Sequence, residues 1–159
     1  MSCNYYSEIN LHMVWHTKNS LSLLNRHVDP VAHNSLKNRI IETPGVFFHA
    51  IGGIETHVHL AITIPPTLLI SEFIGRLKGG SSHDANHQSV GNAKLLEWQT
   101  GYGVVSFGTR DLPWVVEYIR NQRKHHAQNA VHERLERITH DDDGNPASDN
   151  SEKAHAMGL

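Results

Sequence analysis

No stretch constrains this chain more than Glu55-Thr56-His57-Val58-His59-Leu60-Ala61-Ile62-Thr63-Ile64-Pro65-Pro66. Alternate side chains of a strand point to opposite faces. Val58, Leu60, Ile62 and Ile64 therefore line one apolar face, and His57 and His59 share the other. Such a strand needs an apolar layer on one side, and its two imidazoles can converge on one small object, most simply a metal ion. Pro65-Pro66 end it, because proline cannot donate to a sheet ladder. Far along the chain, residues 114–122 read as helix and place Tyr118 and Gln122 four apart on one face. Two imidazoles, an amide oxygen and a phenol are the parts of a metal-assisted phosphoryl-transfer site.

The other elements fall around this strand. Residues 9–17 alternate and are apolar, giving strand one. Asp29-Pro30 reads as a helix cap and first turn, with Val31, Leu36, Ile40 and Ile41 as its stripe and Pro44-Gly45 as its stop. Residues 46–51 form strand two, and Gly52-Gly53 is the expected turn into residues 57–64, an antiparallel hairpin. A second helix runs from Leu68 to about Leu77, with Gly79-Gly80 ending or bending it. Residues 81–93 read as an irregular polar connection, and residues 102–107 as strand four. Asp111 and Pro113 start a third helix, expected to run through Tyr118 and Gln122 to Ile138. The order β-α-β-β-α-β and then α predicts an α+β, ferredoxin/RRM-like fold. It has a four-stranded antiparallel sheet with two helices on one face, and the other face is left for the last helix and a ligand.

Length supports one domain, residues 1–138, followed by an acidic tail, 139–159, expected to be disordered. The whole chain holds 14 Lys/Arg and 16 Asp/Glu. The last 21 residues contain five of the acids and one of the bases, which leaves 13 bases against 11 acids in residues 1–138. That mild excess argues against a protein that coats DNA by bulk charge, so nucleic-acid contact would rest on local patches. No apolar run suits a membrane span and no signal segment is visible, so the expectation is a cytoplasmic protein without a membrane partner. The single cysteine, Cys3, cannot form an internal disulfide.

Taken singly, each site residue also has an ordinary reading. The histidine pair fits an exposed sheet face, Tyr118 a half-buried helix position, and the cluster from Arg120 to His126 a solvated helix end. The combined pattern resembles a known family, the single-tyrosine HUH transposases of bacterial insertion sequences, including their repeat-associated relatives. It is carried by His57-Val58-His59, Pro65-Pro66 and residues 73–82 (Phe-Ile-Gly-Arg-Leu-Lys-Gly-Gly-Ser-Ser). It continues through Trp98-Gln99-Thr100-Gly101-Tyr102, Val105-Ser106-Phe107-Gly108 and Val116-Glu117-Tyr118-Ile119-Arg120-Asn121-Gln122. It covers roughly residues 5 to 128. One departure is visible: the family usually has an acid just before the histidine pair, where this chain has Thr56.

The resemblance implies transposition by cleaving and rejoining single-stranded DNA. Tyr118 would be the nucleophile forming a 5′-phosphotyrosine, with Mg²⁺ or Mn²⁺ held by His57, His59 and Gln122. It also implies a homodimer and recognition of DNA hairpins at element ends. Lys78, Ser81, Arg120, Arg123 and Lys124 are the candidate DNA contacts. The alternative within the family is a domesticated or inactive relative that binds hairpins without transposing. A histidine-triad hydrolase would want a third histidine where Ala61 stands. A cupin would want a glutamate shortly after the pair, where Thr63 and Ile64 stand. An RRM-type sheet would stack bases on aromatics that residues 57–64 lack.

Overall fold

The alternating segment forms strand β3, His57–Ile64, inside a four-stranded antiparallel sheet. The computed structural model describes residues 4–88, 91 and 93–139. In chain order the elements are β1 (Ile9–His16), α1 (Val28–Glu42), β2 (Phe47–Ile54), β3, α2 (Ile70–His87), β4 (Gly103–Phe107), α3 (Leu112–Arg120), α4 (Gln122–Ala127) and α5 (Glu133–Glu136). The sheet order is β2-β3-β1-β4, so β3 is central, as its two-sided burial requires. The α+β, ferredoxin/RRM-like reading holds. The proposed tail, apart from Thr139, lies outside the described residues. Among the described residues no helix is long and apolar enough to cross a membrane.

The two faces of the sheet do different work. Leu11, Met13 and Trp15 of β1 join Val58, Leu60, Ile62 and Ile64 of β3 on the face covered by α1 and α2. Leu36, Ile40, Phe73, Ile74 and Leu77 complete that core. Burying each such side chain contributes about 1.5–3 kcal/mol. The opposite face carries Asn10, His12, His57 and His59, all buried, beside a smaller cluster of Ala50, Ala61, Phe107, Val115 and Ile119 under α3. Register sets His16 opposite His57 and Val14 opposite His59.

Four local expectations are corrected. Asp29 is not the cap of α1: the Asn25 side chain accepts from the backbone N–H groups of His27 and Val28, and Asp29 sits inside the first turn, paired with His33. Gly52-Gly53 is not the hairpin turn. Both belong to β2, opposite His59 and Val58, and Glu55-Thr56 makes the turn, held by Thr17 and Leu24. Helix α2 does not stop at Gly79-Gly80 but continues to His87. Tertiary partners outweigh the polar composition there: Asp84 is held by Ser35 and Arg39, and Ser81 accepts from the Trp98 indole. Finally, the last helix is broken. Asn121, with φ −103 and ψ 25, separates α3 from α4, and a loop precedes α5.

Gly52 explains how α3 reaches the sheet. A Cβ there would meet the Ile119 carbonyl oxygen at 2.1 Å, one residue from Tyr118. Gly52→Ala should destabilise the protein by about 1–3 kcal/mol, the usual cost of overpacking. A urea titration measures this. An unchanged midpoint would mean that α3 does not seat against β2 at this point.

Candidate active site

The two histidines of β3 are held from behind and open in front. His57 Nδ1 lies 3.0 Å from Thr56 Oγ1, and His59 Nδ1 lies 2.8 Å from Nε2 of the fully buried His12. Their Nε2 atoms have no hydrogen-bond partner among the described residues. Both point at one carboxylate oxygen, Glu136 Oε2, at 3.5 and 3.3 Å. Burial and the neighbouring imidazole push His57 down to about 3, and burial also lowers His59. Both rings are therefore neutral near pH 7. Two neutral imidazoles whose Nε2 atoms converge on a carboxylate are, once those nitrogens are free of protons, a donor set for a cation. Each of His57, His59, His126 and Glu136 offers a ligand atom within 4.8 Å of the others, so the residues present fit a metal ion.

Tyr118 enters the same cluster from the last turn of α3. Its hydroxyl donates to Glu136 Oε1 at 2.6 Å and accepts from the His132 backbone N–H at 2.8 Å. The ring lies between His125, at 4.8 Å, and Trp114, at 5.7 Å, both nearly parallel to it. Burial, then the hydrogen bond to Glu136, pushes the phenol up to about 12. Glu136 itself is held below the usual carboxylate range: burial pushes it up, but His59, Tyr118 and His57 together outweigh that. A cleft of about 250 Å³, lined by Trp114, Glu117, Tyr118, His125 and His132, opens beside the ring. One carboxylate thus links the phenol to both histidines within a single chain.

The family described as "Transposase IS200 like" matches residues 5–122, most of the chain. The chain belongs to the IS200-like transposase family. Membership supports a DNA-processing enzyme. Several solved structures share the fold, among them two described as transposases. One is described as a "putative transposase" from Deinococcus radiodurans R1; it is 23% identical, with TM-score 0.58, over 77% of this chain and 96% of that one. The other is a REP-associated tyrosine transposase bound to a REP hairpin; it is 17% identical, with TM-score 0.57, over 82% of this chain and 75% of that one. None of the curated protein sequences matches the chain.

The expected site residues do not all meet. His57, His59 and Tyr118 converge. Gln122 is buried at the first position of α4; its Nε2 donates to the Tyr118 carbonyl, and its Oε1 lies 3.1 Å from His126 Nε2. It adjoins the cluster by way of that imidazole. Lys78 Nζ donates to the carbonyls of Gln99, Thr100 and Gly101, and Ser81 is fully buried with its hydroxyl on the Lys78 carbonyl. Arg120 and Lys124 are exposed beside the site, and Arg123, also exposed, pairs with Glu55. Thr56 places its hydroxyl 3.0 Å from His57 Nδ1, just before the histidine pair.

Sequence reasoning missed His12, His132 and Glu136. His12 was findable. It alternates with Leu11 and Met13 in β1, so the rule that picked His59 puts it on the same face. Glu136 had no local signal, being 18 residues beyond Tyr118 on a four-residue helix.

The histidine shifts have a definite sign. An unfolded histidine titrates near about 6.5, whereas folded His57 titrates at about 3. As pH falls below about 6.5 the unfolded chain binds the proton first. The stability from neutral His57 is thus present near neutrality and is lost as pH falls toward 3. His12 and His59 shift the same way. Thermal melts should show the melting temperature falling from about pH 7.5 to about pH 4.5, with a shallower fall in His57→Gln. Identical slopes would remove His57 as a buried neutral group.

Proposed function

We propose that the protein is an enzyme that cuts and rejoins single-stranded DNA at the ends of an insertion sequence. The observation that carries this is the shared carboxylate. Tyr118 Oη and the Nε2 atoms of His57 and His59 all lie against Glu136, in a chain of the IS200-like transposase family. Tyr118 attacks the scissile phosphorus, its oxygen replaces the 3′ oxygen, and the products are a 5′-phosphotyrosine and a free 3′-hydroxyl. Because the phosphodiester energy is kept in the covalent bond, a 3′-hydroxyl from another strand can reverse the step and rejoin. A divalent ion, Mg²⁺ or Mn²⁺, held by His57, His59 and Gln122, would polarise the phosphate and offset the charge that develops there.

The chain's own residues explain the rest. At neutral pH the phenol keeps its proton, so ionisation belongs to the DNA-bound state. His132 and Glu136 fix the hydroxyl's direction, and His125 and Trp114 fix the ring. Arg120, Arg123 and Lys124 are the proposed phosphate contacts. Lys78 and Ser81 drop out of that set, because both are engaged within the fold. The hairpin held by the REP-associated neighbour supports a hairpin-bearing strand as substrate. A second copy of the chain is the other proposed partner. Tyr118 faces its own chain's histidines, which supports a site completed within one chain. We place the reaction in the cytoplasm.

The test is covalent trapping. Wild type with Mn²⁺ and labelled single-stranded DNA from the flanks of its own gene should give a protein–DNA band on a denaturing gel. Tyr118→Phe, His57→Ala and His59→Ala should each lose it while remaining folded. A band that persists in Tyr118→Phe would overturn the nucleophile. Hairpin binding without any band in wild type would favour the binding-only relative.

A further inference from the structure

Helix α5 lies beyond residues 5–122, the part of the chain that the family match covers, yet it delivers the one carboxylate of the cluster. We propose that Glu136 is itself a ligand of the divalent ion, and that the same carboxylate holds the Tyr118 phenol beside it. This rests on the metal-dependent reading above and extends it.

Three observations carry the assignment. The first is geometry: Oε2 lies 3.3 and 3.5 Å from the unpartnered Nε2 atoms of His59 and His57, while Oε1 takes the Tyr118 proton at 2.6 Å. The second is anchoring: Leu135 is 1% exposed and Arg134 donates to the Ser106 carbonyl, so α5 is fixed to the sheet by the two residues just ahead of its site residue. The third is charge. His57, His59 and Gln122 are all neutral donors in a buried site, and a divalent cation there needs an anion to offset its desolvation. Hard cations also favour oxygen ligands. His126 does not meet this need, because an imidazole supplies neither a negative charge nor an oxygen ligand.

The experiment is Mn²⁺ binding, followed by calorimetry and by the EPR signal of free Mn²⁺, without DNA. Glu136→Gln should weaken Mn²⁺ at least about tenfold, and Glu136→Asp should recover part of the loss by restoring a carboxylate. Glu133→Gln, a 91% exposed neighbour on α5, should bind as wild type does. Circular dichroism confirms that each variant is folded; if Glu136→Gln is not, the comparison of Glu136→Asp with wild type decides. Wild-type affinity in folded Glu136→Gln, together with loss in His57→Ala, overturns the role of Glu136 alone. No Mn²⁺ binding by wild type, or equal binding by His57→Ala, overturns the metal centre and this assignment with it.

Discussion

The molecule depends on the two-faced burial of β3. Its apolar residues seal the core with α1 and α2, so its histidines have no freedom to turn elsewhere. A one-residue slip of register would drive two imidazoles into the main core and put Val58 and Leu60 on the site face. Because the core forbids that slip, it also fixes the site. The neighbouring strands inherit the same constraint: pairing with β1 brings His12 behind His59 and stacks His16 on His57, their centroids 4.7 Å apart.

Electrostatics then decides what the buried face can hold. Three imidazoles, those of His57, His59 and His126, face one partly buried carboxylate. Desolvation keeps His57 and His59 neutral, which is also the state in which they can donate lone pairs. Their back nitrogens are fixed by Thr56 and His12, which orients the front ones. The hydroxyl of Thr56 is uncharged, so it fixes direction without adding a second buried anion.

Much of this was legible in the sequence because a strand's period of two is rigid. The shared face of His57 and His59 follows from that period, and the sheet with its central strand follows from the order of the elements. Where the reading failed, distant partners had overridden local signals. Gly79-Gly80 looks like a stop, yet Gly80 admits the Arg39 guanidinium, and Ser35, Arg39 and Trp98 carry the helix onward. Gly52 looks like a turn residue, but it is a gap for the Ile119 carbonyl. The break at Asn121 hid behind a continuous helical pattern, and with it the loop that lets α5 fold back. A glutamate eighteen residues past the tyrosine carries no periodicity that would tie it to either histidine.

Tyr118 and the histidine pair meet inside one chain, and this bears on kinetics. A site that needed two copies would vanish on dilution below the dissociation constant of the pair, and its rate would fall with the square of protein concentration. A site built from one chain keeps a constant turnover per molecule however sparse the protein becomes. Under the proposed function, even a few copies in a cell would each hold a complete site, and their scarcity would limit how often strands are cut, not whether a copy can cut.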